Sequence, residues 1–242
     1  GLKSLSCKSI AEDRFKRLWV TFDEGTNVID LRTMLTTIPK SPKADIAALL
    51  SQSGVKSYCD ALGRIWLITD KRVNLITFAE DGSVAHIASY QYRGNTPEIC
   101  ICDVEGNGKP WVGIDYGIYR MVEKDGKLVR EEISTLLHPL YGLYITDILK
   151  RGNTVWLTTN HGLFRYDPYL QRLDQTPIQH RSHEFLSSLA LMPDNTLLVG
   201  SLCGVNIYDD KSGTFTAWTQ ASTPPLKNDF VHCLLVNDGL IY

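Results

Sequence analysis

The sequence has little of several features that would assign a function directly. No apolar run approaches the roughly 18 residues that cross a bilayer, and the first residues lack the apolar stretch of a signal peptide. The formal net charge is only -2, and lysine and arginine are scattered, so the chain carries no basic patch for nucleic acid. We therefore expect no nucleic-acid partner and no membrane contact except through other parts of a larger protein.

Cysteine and histidine are present, but not in metal-binding patterns. The cysteines form no CxxC pair, and the six histidines form no HxH or HExxH pair, so we expect no metal site and no cofactor. We predict that the cysteines are buried free thiols that pack as small apolar side chains, with a disulfide or metal role as the alternative. The six are Cys7, Cys59, Cys100, Cys102, Cys203 and Cys233.

What the chain does have is a recurring tryptophan. The spacings along the series are 47, 45, 45, 42 and 44 residues, and each member lies in a similar apolar phrase such as RLWVTF or TVWLTT. A period of this length indicates one supersecondary unit copied several times. The residues at this tryptophan position are Trp19, Trp66, Trp111, Trp156, Leu198 and Tyr242.

The fourth copy shows the content of one repeat. Apolar, β-rich segments at 143–149, 155–159 and 163–166 are separated by turn residues, and a weaker polar segment lies near 172–173. Four short strands joined by tight turns predict an antiparallel meander. No stretch has the 3.6-residue apolar spacing of a helical repeat.

Glycine recurs six residues after the tryptophan position, where a tight hairpin requires a positive φ. Arg72 stands there in the second repeat, so we predict a distorted or longer turn at that point. The glycines are Gly25, Gly117, Gly162 and Gly204.

These features predict an all-β fold, a β-propeller of four-stranded antiparallel blades over residues 1–242. The count gives five full repeats and a partial sixth that starts at Phe230. We expect a fragment of a larger propeller. The recurring tryptophan should fill the space between neighbouring sheets, with a ligand-stacking role as the alternative.

The repeats resemble the two-component regulator propeller family. The resemblance rests on the segments SLSCKSIAEDRFKRLWVTF, NTVWLTTNHGLFRYDPYLQRL and NTLLVGSLCGVNIYDDKSGTFT, which follow the pattern D-x-x-G-x-[IL]-W-[IV]-G-T and then G-[LVI]-x-x-[FY]-D. It implies a periplasmic, non-catalytic sensor region of a Bacteroidetes hybrid two-component system, with histidine kinase activity elsewhere in the protein. It also implies a carbohydrate ligand, such as a glycan breakdown product, and control of polysaccharide use.

The loop between the second and third strands of each repeat is the candidate ligand face. Its first residue is Asp or Asn in four repeats, which is also what simple capping of a turn requires. Its second residue differs from repeat to repeat, which is compatible with a specific binding site. Alternatives are the longer connections at Tyr90–Arg93 and His180–His183. The predicted ligand-binding residues are Lys71, Asp115, Tyr116, Asn160 and His161.

Two other functions stay open at this point. A propeller enzyme, such as a lyase, lactonase or glycosidase, would gather carboxylates or histidines at the axis, often with a divalent ion. A protein-interaction platform is the other, and we expect self-association because open strand edges pair readily. We predict no catalytic residues in this chain.

Overall fold

A computed structural model describes residues 2, 6–42, 45–94, 99–176 and 185–242. Five four-stranded antiparallel sheets follow one another along the chain, each with its strands in sequence order across the sheet. This confirms the predicted β-propeller blades.

The strands of the first three sheets are β1 (Ser9–Glu12), β2 (Arg17–Phe22), β3 (Gly25–Asp30) and β4 (Leu35–Thr37); β5 (Gly54–Cys59), β6 (Ile65–Thr69), β7 (Arg72–Phe78) and β8 (Val84–Gln91); β9 (Cys100–Cys102), β10 (Trp111–Ile114), β11 (Gly117–Lys124) and β12 (Lys127–Glu131). The strands of the last two are β13 (Ile145–Arg151), β14 (Thr154–Thr159), β15 (Gly162–Asp167) and β16 (Arg172–Thr176); β17 (Leu186–Leu191), β18 (Leu197–Ser201), β19 (Gly204–Asp209) and β20 (Thr214–Trp218).

Helical structure is limited to short connections in the described part of the chain. Helix α1 (Ile46–Leu50) follows the first sheet. The side chain of Asp45 caps this helix by accepting a hydrogen bond from the amide of Ala48. A 3₁₀ turn (Thr135–Leu140) precedes the fourth sheet. The partial sixth repeat forms only a small hairpin, β21 (Val236–Asn237) with β22 (Leu240–Ile241).

The chain divides into two compact units. The first comprises residues 1–96, 101–115 and 119–132, and the second comprises residues 97–100, 116–118 and 133–242. In the first unit, β1 and β2 pack on β5, and β8 packs on β12. In the second unit, β13 and β14 pack on β17.

The recurring tryptophans belong to the core, as predicted. Trp19, Trp66 and Trp156 are almost fully buried. Trp19 packs with Ile65 and Leu67 of the second sheet, and Trp156 packs with side chains of the fifth. Burying an apolar side chain of this size stabilises the fold by about 3 kcal/mol or more, so the repeat supplies one large contribution per interface.

A buried carboxylate anchors the tryptophan in the first two blades. Asp13 accepts hydrogen bonds from the indole of Trp19 at 2.8 Å and from Nε of Arg17 at 2.7 Å. Asp60 accepts from the indole of Trp66 at 2.9 Å and from Nε of Arg64 at 2.8 Å. Both carboxylate side chains are fully buried. The aspartate therefore fixes the tryptophan and the arginine of its blade at once.

The same arginines link each blade to the next within a unit. Arg17 donates to the carbonyl of Gly82 at 2.8 Å, and Arg64 donates to the carbonyl of Gly108. In the second unit, Arg151 donates to the carbonyl of Asn195 at 2.9 Å. Hydrogen bonds from charged donors are stronger than neutral ones, so these contacts help to hold neighbouring sheets together.

The prediction that the cysteines are buried is wrong for half of them. All six are free thiols, and Cys100 is buried, but Cys7, Cys203 and Cys233 are exposed. Cys203 lies in the tight turn between β18 and β19, where it is exposed. Burial followed the position in the blade rather than the apolar character of the thiol.

Candidate functional site

The turns that join the second and third strands form one edge of each sheet. In the fourth blade the strand pairing runs to Thr159 opposite Gly162, so only Asn160 and His161 lie in the turn. Gly25, Gly162 and Gly204 have φ values of 128°, 112° and 110°, which confirms the prediction for these three glycines. It is wrong for Gly117, whose φ is not positive, because Asp115 and Tyr116 adopt the left-handed conformation in that turn instead.

The turn of the second blade differs, as Arg72 predicted. The pairing of β6 with β7 stops at Ile68 opposite Val73, one pair short of the loop, although the loop itself again has two residues, Asp70 and Lys71. The amide of Arg72 donates to Oγ1 of Thr69 at 3.2 Å. Beside the turn lies an open surface pocket of about 420 Å³, lined by Gln52, Ser53, Asp70, Lys71 and Arg72.

Asp115 and Lys71 flank the segment Tyr92–Arg93 in the first unit. The carboxylate of Asp115 accepts a hydrogen bond from the amide of Arg93 at 2.8 Å and one from the guanidinium of Arg130 at 3.1 Å. The carbonyl of Lys71 accepts from the amide of Tyr92 at 3.1 Å. The side chain of Asp115 is only 8% exposed. Asp115 therefore orders this loop, while Lys71 presents its side chain to solvent.

Burial explains the chemistry of Tyr92. Its hydroxyl donates to the carbonyl of Thr69 at 2.5 Å, and desolvation raises the pKa of Tyr92 well above the ordinary tyrosine value. Tyr92 thus holds the connection onto the second blade as a neutral hydrogen-bond donor.

In the second unit, Tyr116 lies against Tyr144. The two ring centroids are 4.9 Å apart, and Tyr116 is 39% exposed. A hydrogen bond with Tyr116 raises the pKa of the Tyr144 hydroxyl. The amide of Gly142 donates to the carbonyl of Tyr116 at 2.7 Å. The tyrosine pair is therefore held by backbone and side-chain contacts and keeps part of its aromatic surface open.

The backbone presents Tyr116 in an uncommon conformation. Asp115 and Tyr116 have φ values of 51° and 57°, the left-handed region that a tight hairpin turn requires at both central residues. Aspartate tolerates this region, but a bulky aromatic residue seldom adopts it. Strained residues of this kind concentrate at functional sites.

Asn160 binds the backbone of Tyr144, and His161 follows it in the same turn. The side chain of Asn160 accepts from the amide of Tyr144 at 2.9 Å, and the amide of Asn160 donates to the carbonyl of Tyr144 at 3.2 Å. His161 is exposed, and its carbonyl accepts from Nε2 of Gln175 at 2.9 Å. Asn160 is a positioning residue, and the imidazole of His161 faces solvent.

The structure groups the predicted residues by unit. Lys71 and Asp115 both contact the segment Tyr92–Arg93, and Tyr116 and Asn160 both contact Tyr144. His161 follows Asn160 in the same turn without a contact to Tyr144 among the described hydrogen bonds and ring pairs. The segment His180–His183 lies outside the described residues. Sequence reasoning missed Tyr144, Gln52 and Ser53 because each precedes an inner strand, where the repeat pattern is weakest. It marked Arg72 only as an exception.

Nothing in the described part of the chain groups three or more histidine, cysteine, aspartate or glutamate side chains as a metal site would. Across the same residues, no helix is long and apolar enough to cross a bilayer.

Neither a family model nor a curated protein matches the chain. Solved structures do match. The extracellular domain of BT4673, a proposed one-component or hybrid two-component system of B. thetaiotaomicron, superposes with a TM-score of 0.74 at 20% identity over 97% of this chain. That of BT3049 from the same organism, a proposed hybrid two-component system, gives 0.62 at 15% identity, also over 97%. The chain spans 31% and 38% of these two domains.

Virginiamycin B lyase from Staphylococcus aureus is also similar. Its TM-score is 0.66 at 16% identity, over 98% of this chain and 83% of the lyase. Identities this low establish a shared fold and no shared chemistry. The chain is therefore a β-propeller, with the same fold as the extracellular domains of BT4673 and BT3049.

Proposed function

We propose that this chain is a non-catalytic part of an extracytoplasmic sensor region of a hybrid two-component system, and that it binds oligosaccharides. The similarity to two extracellular domains of such systems supports the sensor role. The observation that carries ligand binding is the partly open pair Tyr116–Tyr144 on the turn edge of the second unit.

The chemistry of this pair suits a sugar. A tyrosine ring offers an apolar face for the C–H side of a pyranose, and its hydroxyl offers a hydrogen-bond partner for sugar hydroxyls. Asn160 fixes the backbone of Tyr144, and His161, next in sequence to Asn160, has an exposed side chain that can add a polar partner. In the whole protein, histidine kinase activity elsewhere in the chain would convert occupancy into a signal that controls polysaccharide use.

Calorimetric titration with a panel of neutral oligosaccharides tests this function. We expect at least one member to bind, and Tyr116→Ala to weaken its affinity about tenfold or more because a stacking surface is lost. Tyr169→Ala is the matched control. Tyr169 is 86% exposed in the turn between β15 and β16, at the end of the fourth blade opposite to Asn160 and His161. Equal loss in both variants, or no binding by any sugar, would contradict the proposal.

A lyase is the second candidate, because the similarity to virginiamycin B lyase covers 83% of that enzyme. Incubation of the chain with quinupristin, the ligand in one lyase structure, tests it by chromatography of the products. We expect no turnover. Turnover above the buffer control would favour the enzyme.

We also propose that copies of the chain self-associate. Support comes from the edge strands of the first sheet, where Ile10 on β1 is 59% exposed and Leu35 on β4 is 66% exposed, because exposed apolar edge strands favour pairing with another chain. Light scattering after size exclusion should give more than the monomer mass, and Ile10→Lys should lower it. A monomer at all concentrations would contradict self-association.

A further inference from the structure

The second blade departs from the repeat at the turn that should hold a glycine. Four of the five complete repeats have glycine there, and only the second has Arg72. Arg72 does not have the positive φ of Gly25, Gly162 and Gly204, and the strand pairing of this blade ends at Ile68 opposite Val73. Departures from a local rule concentrate at functional sites in natural proteins.

The turn lies beside an open pocket. Asp70 and Lys71 form the two-residue loop between β6 and β7, and the amide of Asp70 donates to the carbonyl of Ser53 at 3.2 Å. The pocket has a volume of about 420 Å³ and is lined by Gln52 and Ser53 and by the residues of the turn. It thus combines neutral hydrogen-bonding side chains with the charged residues of the turn.

The side chains around this turn carry more positive than negative charge. Lys71, Arg72 and Arg93 are all exposed, and none forms an ion pair with a side chain in the described ranges of the chain. The amide of Tyr92 donates to the carbonyl of Lys71. This hydrogen bond holds the following residue, Arg93, close to the same turn. Asp70 is the single acid that lines the cavity.

Cations at two other turns of the first unit are neutralised. Lys8 pairs with Asp23 at the turn of the first blade. Arg130 pairs with Asp115 at 3.1 Å, beside the turn of the third. The second blade alone among these three leaves its turn cations available. An excess of positive charge around a cavity favours an anionic ligand.

We propose that this cavity binds the carboxylate or sulfate group of an acidic saccharide. Arg72 offers a planar guanidinium that matches either oxyanion with two parallel hydrogen bonds, and Lys71 adds a second positive charge. Gln52 and Ser53 supply neutral partners for neighbouring hydroxyl groups. The saccharide part of this inference rests on the proposed sensor function; the anion part rests on the turn itself.

Calorimetric titration of the 242-residue chain tests the site with trigalacturonate as the carboxylate probe and a sulfated chondroitin disaccharide as the sulfate probe. We expect at least one to bind, and the neutral cellotriose to bind this cavity more weakly. Affinity should fall as salt rises from about 0.1 M to about 1 M, because the screening length shortens from about 10 Å to about 3 Å.

The decisive variant is Arg72→Gly, which restores the residue of the other repeats and should therefore fold. We expect it to lower the affinity for the acidic probe about tenfold or more, and we expect Lys71→Ala to lower that affinity further. Lys127→Ala is the matched control. This exposed lysine begins β12 of the third sheet, at the end of that sheet away from the turn between β10 and β11, so its removal should leave the affinity for the acidic probe unchanged.

The outcomes separate the two proposals. Binding of neutral oligosaccharides that depends on Tyr116, with no binding of either acidic probe, overturns the acidic site and leaves the sensor function standing. Acidic probes that bind Arg72→Gly as well as the unmodified chain also overturn it. Loss of acidic binding in Arg72→Gly alone, with Tyr116→Ala unaffected, supports the site and contradicts the tyrosine pair as the place of recognition for that ligand.

Discussion

The second blade (β5–β8) and the fourth blade (β13–β16) have the same strand order but different means of support. In the second, Trp66 donates to the buried Asp60. In the fourth, the equivalent position holds the exposed Lys150, and the indole nitrogen of Trp156 has no hydrogen-bond partner among the described residues. The turn between the second and third strands shows the opposite: it is regular in the fourth blade and irregular in the second.

This difference indicates that the turn at one end of a blade can vary in sequence when hydrogen bonds order the other end. The carboxylate of Asp60 accepts from Arg64 and Trp66 together, so the end of the second blade away from the turn is strongly ordered. Its turn can then depart from the glycine rule and carry charged residues. The fourth blade relies on apolar packing of Trp156 and a tightly paired turn.

Removing the carboxylate should have the largest effect. Asp60→Ala leaves the partly buried guanidinium of Arg64 and the buried indole of Trp66 without their acceptor, so we expect a loss of about 3–5 kcal/mol in the free energy of unfolding. Lys150→Ala should change it by less than about 0.5 kcal/mol. Urea denaturation followed by circular dichroism measures both. Similar losses at the two positions would show that the blades are supported alike.

The paired tryptophan variants come next. Trp66→Phe and Trp156→Phe remove the same volume, but only the first removes a hydrogen bond to a charged group, which is worth about 1.5–3 kcal/mol. We expect Trp66→Phe to be the more destabilising by about this amount in the same denaturation assay. The reverse order would mean that Trp156 has a stronger partner than apolar packing provides.

Exchange of the turn residues should have a smaller effect. Gly162→Arg forces a side chain into a φ of 112°, at a cost of about 1–3 kcal/mol. Arg72→Gly should change stability by less than about 1 kcal/mol. Thermal melts of both variants against the unmodified chain measure this. A melting temperature that falls more in Arg72→Gly would indicate that Arg72 serves the fold rather than a ligand.

The smallest effect is a change in tyrosine ionisation beside the two blades. Tyr116→Phe should lower the pKa of Tyr144 towards its ordinary value, and leave that of Tyr92 high because its cause is burial. Since the folded state holds the Tyr144 proton more tightly, this contribution to stability is present below the ordinary tyrosine pKa. It is lost as pH rises through the folded pKa. NMR titration of labelled tyrosine rings measures both; an unchanged Tyr144 would contradict the assigned cause.

The repeat pattern allowed much of the fold to be predicted. The spacing of the tryptophan position and the recurring glycines predict four-stranded blades, because strand length and turn geometry are local properties of the chain. Arg72 predicted an irregular turn for the same reason, since the demand for a positive φ acts on a single residue. The candidate site was predicted only in part, at Lys71, Asp115, Tyr116, Asn160 and His161.

The sequence by itself determined the four-stranded repeat and the position of its recurring turns, because hydrophobic alternation and backbone sterics operate over a few residues. The tertiary structure alone decided which side chains meet. It engages Asp115 with Arg93 and Arg130. It also places Tyr144 against Tyr116, 28 positions away in the sequence. Such contacts depend on how the segments that precede each inner strand return to the turns, and no periodic pattern records that.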